Sequence, residues 1–339
     1  MRILTLRFSS LGDVVLATAP IHALAAKYPD AELIVGTKLE YAPVFGNLPP
    51  RLSIKPLTDS QSVADYIETL GERSFDMVVD LHGSLRSRAI SRRLSSPDKR
   101  CVNKNTLKRW RMVWSKKGLD HPLSVVDSYL ELVGATRSEF RPRLVLSNEE
   151  RARVDSAKRN EALRIGIGWG AKHPTKVVPP EIWRNILFAT SAHSPIVVKV
   201  LGMQQDEVDI SRFIRNELSS IDSVTSESHI GLPLREAMTR ISSCDAFLSS
   251  DSGLMHVADA LGVPTFGLFG PTHPALGFAP AGEKSRAFHA GTWCSPCHRH
   301  GSAPCFRERR FCFDELNVED IARSLLAVNN SSAGKASTR

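Results

Sequence analysis

Short apolar runs alternate with amphipathic stretches along most of the chain. The apolar runs predict strands in two sets, at residues 3–8, 32–36, 52–55 and 77–81, and then at residues 163–168, 196–201, 222–225, 246–248 and 264–269. The amphipathic stretches predict helices at residues 14–27, 63–72, 124–133, 180–192 and 208–218. This alternation favours parallel sheets covered by helices, which is the α/β class.

A polar, helix-like segment at residues 148–161 separates the two sets of strands. A chain of 339 residues is long enough for two domains. We therefore predict two Rossmann-like, doubly wound domains, at residues 1–150 and 151–328, and a flexible tail at residues 329–339. Ligands of such sheets bind beyond the carboxyl ends of the strands. We expect an active site in a cleft between the two domains.

Positive charge is concentrated in one part of the chain. The net charge is +8, but residues 86–117 hold twelve Lys and Arg side chains and one acid, Asp98, so that this window alone carries +11. Such a window indicates an anionic partner, namely a phosphorylated lipid, a membrane surface or nucleic acid. A solvated helix face is the alternative interpretation. Since no helix-turn-helix or RNA-binding signature accompanies the window, we do not expect a nucleic-acid partner.

No apolar run approaches the ~18 residues of a membrane span. The first residues alternate too strictly for a signal peptide and resemble a strand. We therefore expect a cytoplasmic protein, which the basic window would bring to the inner face of the membrane as a peripheral protein.

The first strand leads into the turn Ser9-Ser10-Leu11-Gly12-Asp13, at the predicted start of a helix. Asp13 has two interpretations of equal weight. It is either an N-cap, a position that Asp favours, or a general base at the mouth of the site.

The segment from Ser249 to Pro264 is the most specific motif in the chain. A strand ends near Leu248, the polar run Ser249–Ser252 turns, and a helix follows that Gly262 closes. Small polar residues at a helix start favour a phosphate site, although an ordinary capped helix is the alternative.

Two further loops follow strands of the second set. The first, Lys172-His173-Pro174-Thr175-Lys176, offers two ammonium groups and a hydroxyl to a leaving diphosphate. The second contains Asp206, which would either bind ribose hydroxyls or cap a helix. The run Gly166–Ala171 formally matches a dinucleotide-binding pattern, but the prolines that follow delay the helix that this pattern requires.

Four cysteines lie close together late in the sequence, at Cys294, Cys297, Cys305 and Cys312. A small structural zinc site, a redox-sensitive pair and plain buried thiols are all compatible with this spacing.

Several of these motifs together resemble glycosyltransferase family 9, the ADP-heptose:lipopolysaccharide heptosyltransferases. The resemblance covers residues 1–328 and is carried by Leu11-Gly12-Asp13-Val14-Val15-Leu16, Asp80-Leu81-His82-Gly83, Lys176-Val177-Val178-Pro179, Asp251-Ser252-Gly253-Leu254-Met255-His256 and Gly267-Leu268-Phe269-Gly270-Pro271-Thr272.

The resemblance implies a GT-B fold and an inverting transfer of heptose from ADP-heptose to the lipopolysaccharide inner core, with no metal required for catalysis. The implied catalytic residues are the general base Asp13 and the leaving-group residue Lys176, for which Lys172 is a competitor. The implied donor-binding residues are Thr175, Lys172, Asp206, Leu232, Asp251, Ser252, Gly253, Leu254 and His256. The implied acceptor-binding residues are Ser9, Gly12, His82 and Arg86. A transferase of the same fold that uses another nucleotide sugar or acceptor, and a non-catalytic binder of anionic lipid or nucleic acid, are the alternative functions.

Overall fold

The computed structural model describes residues 1–47, 51–157 and 162–336. It divides into two compact units. The first contains Met1–Thr106 and Ser124–Ser147, and the second contains Leu107–Leu123 together with the chain from Asn148 onward.

A five-stranded parallel sheet forms the centre of the first unit. Its strands are β1 (Arg2–Leu6), β2 (Glu32–Lys38), β3 (Leu52–Leu57), β4 (Met77–Asp80) and β5 (Asp98–Cys101). The strand order is β3-β2-β1-β4-β5. Leu4 lies opposite Ile34 on one side and Val78 on the other, and all three side chains belong to one buried apolar cluster. The direction of winding reverses between β1 and β4, which makes the ends of these strands the expected ligand site.

The first six helices are α1 (Leu11–Leu16), α2 (Thr18–Lys27), α3 (Val63–Thr69), α4 (Leu85–Arg93), α5 (Thr106–Ser115) and α6 (Val125–Val133), with a 3-10 helix at Leu39–Phe45. All but α5 lie within the first unit. Ser62 and Ser84 begin α3 and α4 as N-caps, each accepting a hydrogen bond from the backbone N–H three residues on.

The second unit contains a six-stranded parallel sheet. Its strands are β6 (Leu163–Gly168), β7 (Ile196–Gly202), β8 (Val224–Ile230), β9 (Ala246–Ser250), β10 (Thr265–Phe269) and β11 (Arg286–His289). The order β11-β10-β9-β6-β7-β8 is that of a Rossmann sheet, and winding reverses between β6 and β9. Ile165 and Ile167 of β6 lie opposite Ala246 and Leu248 of β9 in the apolar core.

Seven further helices complete the second unit: α7 (Asn148–Ala157), α8 (Pro180–Ser191), α9 (Glu207–Phe213), α10 (Leu234–Ser242), α11 (Gly253–Ala260), α12 (Phe311–Asp314) and α13 (Val318–Ala336). Single 3-10 turns occur at Pro174–Lys176, Gln204–Asp206 and Pro274–Leu276, and α9 continues as a π-helical turn at Ile214–Leu218. Trp183 of α8 and Phe313 of α12 are fully buried against the sheet.

The predicted α/β class with two parallel, Rossmann-like sheets is confirmed. The edge strands β5 and β11 were not predicted, because their residues do not form apolar runs. The polar helix predicted at 148–161 is α7, and residues 158–161 lie outside the described residues. The tail was predicted from residue 329. Part of it belongs to α13, which extends to Ala336, and the rest, residues 337–339, lies outside the described residues.

The segment Leu107–Leu123 groups with the second unit, although the prediction placed residues 1–150 in one domain. Met112 of α5 packs against Ala275 and Leu276 of the second unit. The Arg109 side chain donates to the Leu276 carbonyl at 2.8 Å, and the Leu123 N–H donates to the Ala275 carbonyl at 2.9 Å. The basic window is therefore split, with residues 86–106 in the first unit and residues 107–117 in the second.

Among the described residues, no helix is both long and apolar enough to cross a membrane.

Candidate active site

Two loops of the first unit carry polar side chains at the point where winding reverses. Asp13 lies in the first turn of α1, just after β1, and His82 lies two residues after the end of β4. Ser10 is the N-cap of α1, and Asp13 accepts hydrogen bonds from the Ser10 hydroxyl at 3.1 Å and the Ser10 N–H at 3.4 Å. The N-cap interpretation of Asp13 is therefore wrong, because Ser10 occupies that position and Asp13 lies three residues inside the helix with its carboxylate turned back to Ser10.

Arg7 holds the Asp13 carboxylate from the other side. Its Nη2 lies 2.6 Å from Asp13 Oδ2, and its Nη1 donates to the Leu81 carbonyl at 2.8 Å. The guanidinium also lies 5.8 Å above the ring of Tyr129. Burial alone would lower the pKa of Arg7, but Tyr129 and Asp13 outweigh it and leave that pKa raised. Arg7 is therefore a permanently charged partner that fixes the carboxylate in place.

The His82 loop is organised by a buried acid. Asp80 Oδ1 accepts hydrogen bonds from the backbone N–H groups of His82 at 2.9 Å and Gly83 at 2.8 Å. Asp80 Oδ2 accepts from the Ser87 hydroxyl at 2.9 Å, which ties the loop to α4. Gly83 has φ of +57°, a conformation that favours glycine. Asp80 therefore shapes the loop.

His82 is neutral at physiological pH. Burial, followed by the charges of Arg7 and Lys104, lowers the pKa of His82 to about 4. Burial and the charge of Arg7 also lower the pKa of Lys104. Among the described residues, His82 Nδ1 has no hydrogen-bond partner. This end of the sheet thus combines a carboxylate, two cationic side chains and a neutral imidazole, a set suited to an acidic acceptor that carries hydroxyl groups.

The remaining predicted acceptor residues occupy different surroundings. Ser9 lies in the loop between β1 and α1, and Gly12 is buried in the first turn of α1. The Arg86 side chain donates to the backbone carbonyl of Gln61.

Sequence reasoning missed Arg7 and Lys104. Arg7 directly follows β1, so a charged residue at the end of an apolar strand was the available signal.

Lys176 and Asp251 of the second unit form an ion pair where winding reverses in its sheet. Lys176 follows β6, Asp251 follows β9, and the Lys176 ammonium lies 2.8 Å from Asp251 Oδ2. Thr272, just beyond β10, donates its hydroxyl to the same oxygen at 2.8 Å. All three side chains are largely shielded from solvent. Because an ammonium has three N–H donors, one bond to Asp251 leaves others for an anionic ligand.

The helix α11 begins immediately beside this pair. Ser252 is its N-cap and Gly253 and Leu254 are its first residues, so their backbone N–H groups belong to the helix end that attracts anions. The Ser252 and Ser249 hydroxyls lie 3.0 Å apart. His256 is buried in the same helix, and its ring meets that of Phe278. The structure therefore brings Lys176, Asp251 and the start of α11 together.

A late segment of the chain holds the Lys176 loop in position. The Thr175 hydroxyl donates to the Gly301 carbonyl, and Arg310 donates to the Val177 carbonyl at 2.6 Å. A Cβ at Gly301 would lie 2.6 Å from Lys176 Cγ, which shows how closely this backbone approaches the lysine. Lys172 is exposed, so Lys176 is the better placed of the two lysines.

Asp206 and Leu232 lie at the ends of β7 and β8. Asp206 Oδ2 accepts from the Met203 N–H at 2.8 Å, which is capping geometry. A Cβ at Gly170 would lie 2.7 Å from the same oxygen, so the loop after β6 passes close to Asp206. Leu232 lies in the next turn, where the Gly231 N–H donates to the Gly202 carbonyl at 2.9 Å. Both residues are therefore on the same edge of the sheet as Lys176.

The four late cysteines are all free thiols. Burial, followed by repulsion from Cys297 and Cys294, raises the pKa of Cys312 to about 12. Among the described residues, no group of three or more His, Cys, Asp or Glu side chains is placed to hold a metal ion. A structural zinc site at these cysteines stays a prediction.

Two Rossmann-like sheets, each with a polar cluster where its winding reverses, define a protein of the GT-B fold. A family model described as glycosyltransferase family 9 (heptosyltransferase) matches residues 63–304. This match spans more than half of the chain, and the protein belongs to that family.

Similar relatives carry the name heptosyltransferase, and the solved structures share the fold. Lipopolysaccharide heptosyltransferase 2 of Salmonella typhimurium is 25% identical, with 96% of this chain and 99% of the relative covered. The structure of E. coli ADP-heptose lipopolysaccharide heptosyltransferase II superimposes with a TM-score of 0.72 at 20% identity, covering 98% of this chain and 100% of the other. The structure of E. coli heptosyltransferase WaaC with ADP-2-deoxy-2-fluoro heptose superimposes with a TM-score of 0.58 at 16% identity, covering 83% of this chain and 96% of the other.

Proposed function

We propose that this protein transfers heptose from ADP-heptose to a hydroxyl group of the lipopolysaccharide inner core, with inversion at the anomeric carbon. The observation that carries the proposal is the Lys176–Asp251 pair, 2.8 Å apart, beside the start of α11. This arrangement offers a diphosphate both an ammonium and backbone N–H donors. The names of the relatives supply the sugar and the acceptor class.

The second unit binds the donor. The pyrophosphate accepts hydrogen bonds from the N–H groups of Ser252, Gly253 and Leu254 and from the Lys176 ammonium. Asp251 then accepts hydrogen bonds from the heptose hydroxyls, with Thr272 holding the carboxylate in place at 2.8 Å. The ribose and adenine contact the loops of Asp206 and Leu232, which lie on the same edge of the sheet.

The first unit binds the acceptor. Arg7 and Lys104 attract its acidic groups, beside the neutral imidazole of His82. Asp13 is the base, because its carboxylate is fixed by Arg7 and Ser10 at the carboxyl end of β1.

The reaction is a single displacement. The acceptor oxygen forms a bond to the anomeric carbon as the carbon–oxygen bond to the diphosphate breaks, and that electron pair leaves with ADP. The acceptor proton passes to the Asp13 carboxylate. Lys176 neutralises charge that develops on the departing phosphate, so positive charge is supplied without a metal. A correctly placed base contributes ~10²–10⁴-fold to such a reaction.

We further propose that the protein works in the cytoplasm as a peripheral protein at the inner membrane, since its acceptor is attached to lipid. The divided basic window supports this, because both of its parts carry excess Lys and Arg.

The decisive experiment measures ADP release from ADP-heptose with an acceptor core that lacks heptose. Wild type should turn over only when the acceptor is present, and Asp13→Asn and Lys176→Ala should each lose at least about 100-fold in kcat. Full activity of Asp13→Asn would remove the base assignment. A larger thermal shift with UDP- or GDP-sugars than with ADP-heptose would indicate a different donor.

A further inference from the structure

Four large aromatic side chains of the second unit are exposed at one place. Trp110 and Trp114 of α5, with Trp293 and Phe306 of the late segment, are between 57% and 77% exposed. They line a single open cavity of about 450 Å³. We call these four side chains the aromatic surface. None of them contributes to the site described above.

The packing of α5 explains why these rings face solvent. Met112 is buried against Ala275 and Leu276, which fixes the orientation of the helix. Leu107, Trp110 and Trp114 are spaced three and four residues apart and therefore share the opposite face. The two indoles stack with centroids 6.2 Å apart and planes 12° apart. Aromatic side chains bury ~150–250 Å² each when covered, so leaving four exposed indicates an interaction surface.

The aromatic surface lies among positive charges. Lys116 and Arg299 line the same cavity, and the Arg307 guanidinium lies 5.3 Å above the Trp293 ring. The segment 107–117 contains five Lys and Arg residues and no acid. Lys116 also donates to the Pro296 carbonyl, which ties α5 to the late segment. Exposed tryptophans surrounded by Lys and Arg are typical of proteins at a membrane interface.

We propose that the aromatic surface docks onto a bilayer that contains anionic lipids. The rings enter the headgroup region while the surrounding cations pair with lipid phosphates. A second copy of this chain is a poorer occupant, because a two-fold interface would place these cations against each other. This proposal rests on the proposed function, in which the acceptor is attached to membrane lipid. It names the surface of the protein that contacts that membrane.

The test is sedimentation of the full-length protein with phosphatidylcholine vesicles, with and without phosphatidylglycerol, in the absence of donor. Wild type should bind the anionic vesicles, and binding should weaken as salt is added. The double variant Trp114→Ala/Trp293→Ala should bind about tenfold more weakly. Both side chains are exposed, so the fold should persist. The control Phe188→Ala/Val208→Ala removes exposed apolar groups from other helices of the same unit and should bind like wild type.

Brominated lipids give a second readout, because they quench only tryptophans that enter the bilayer. Trp169 and Trp183 are buried in the core and should stay unquenched. Docking is refuted if the wild-type protein does not bind anionic vesicles. It is refuted too if the double variant binds them with wild-type affinity. It is also refuted if the double variant changes only the oligomeric state or binding to single-stranded RNA. Turnover of a deacylated, soluble acceptor should be equal in wild type and the double variant, so failed docking is distinguishable from a failed transferase assignment.

Discussion

Arg7 Nη2 lies 2.6 Å from Asp13 Oδ2, so the carboxylate proposed as the base has a fixed ionic partner on the same sheet edge. Arg7→Met removes this partner, and a displaced base should lower kcat about 100-fold. Arg7→Lys keeps the charge without the forked contact and should recover part of the rate. Steady-state ADP release measures both, and the KM for ADP-heptose should not change because the proposed donor residues are in the second unit.

Arg2→Met is the matched control. Arg2 lies at the other end of β1 and pairs with Glu32 at 2.8 Å. Its loss should leave kcat at the wild-type level. If Arg7→Met is as active as Arg2→Met, Arg7 does not position the base.

Thr272→Val tests whether the Asp251 carboxylate must be held for donor binding. The substitution keeps the volume of the side chain and removes the 2.8 Å hydrogen bond to Oδ2. A hydrogen bond to a charged group contributes ~1.5–3 kcal/mol, so ADP-heptose should bind at least about tenfold more weakly. Calorimetric titration of the donor is the measurement. Thr265→Val removes a buried hydroxyl from the other end of β10, where it donates to the Val263 carbonyl, and should leave affinity unchanged.

A pair of glycines tests the contact between the late segment and the Lys176 loop. Gly301 and Gly291 have φ of +75° and +73°, so alanine costs about 1 kcal/mol of backbone strain at either position. At Gly301 the new methyl group also meets Lys176 at 2.6 Å, whereas nothing lies within 4 Å at Gly291. Gly301→Ala should therefore lower kcat/KM about tenfold, and Gly291→Ala should not. If the two variants have equal kcat/KM, contact of the new methyl group with Lys176 does not affect the reaction.

The neutral His82 predicts a loss of stability in mild acid. Burial and neighbouring cations lower the pKa of His82 to about 4 in the folded protein, while an unfolded histidine titrates near 6.5. Between these values the unfolded chain binds a proton that the folded chain does not, so stability falls as pH decreases from about 6.5 to about 4. After a discount for the partial exposure of His82, the free energy of unfolding should fall by about 2 kcal/mol over this pH range.

His82→Gln should remove that part of the pH dependence, as measured by urea unfolding at several pH values. In the NMR spectrum of wild type, the His82 imidazole should titrate near pH 4. A midpoint near 6.5 would contradict the burial argument.

The sequence by itself determined the α/β class, the two parallel sheets and most of the central strands. These follow from local alternation of apolar and polar residues, which fixes each element independently of its partners. It also placed Asp13 and Asp251 at strand ends, because a strand end is visible as the point where an apolar run stops. The edge strands β5 and β11 escaped this reasoning, since both are only partly buried and carry polar residues.

Only the tertiary structure decided which side chains meet. Lys176 and Asp251 pair because β6 and β9 are neighbours in the sheet, a relationship that strand order sets and local pattern does not reveal. Arg7 reaches Asp13 through the direction of its side chain beyond β1. The assignment of Leu107–Leu123 to the second unit likewise depends on where Met112 finds an apolar partner. Because the Met112 face of α5 is buried, Trp110 and Trp114 are exposed to solvent. The sequence of α5 alone does not predict which face is buried.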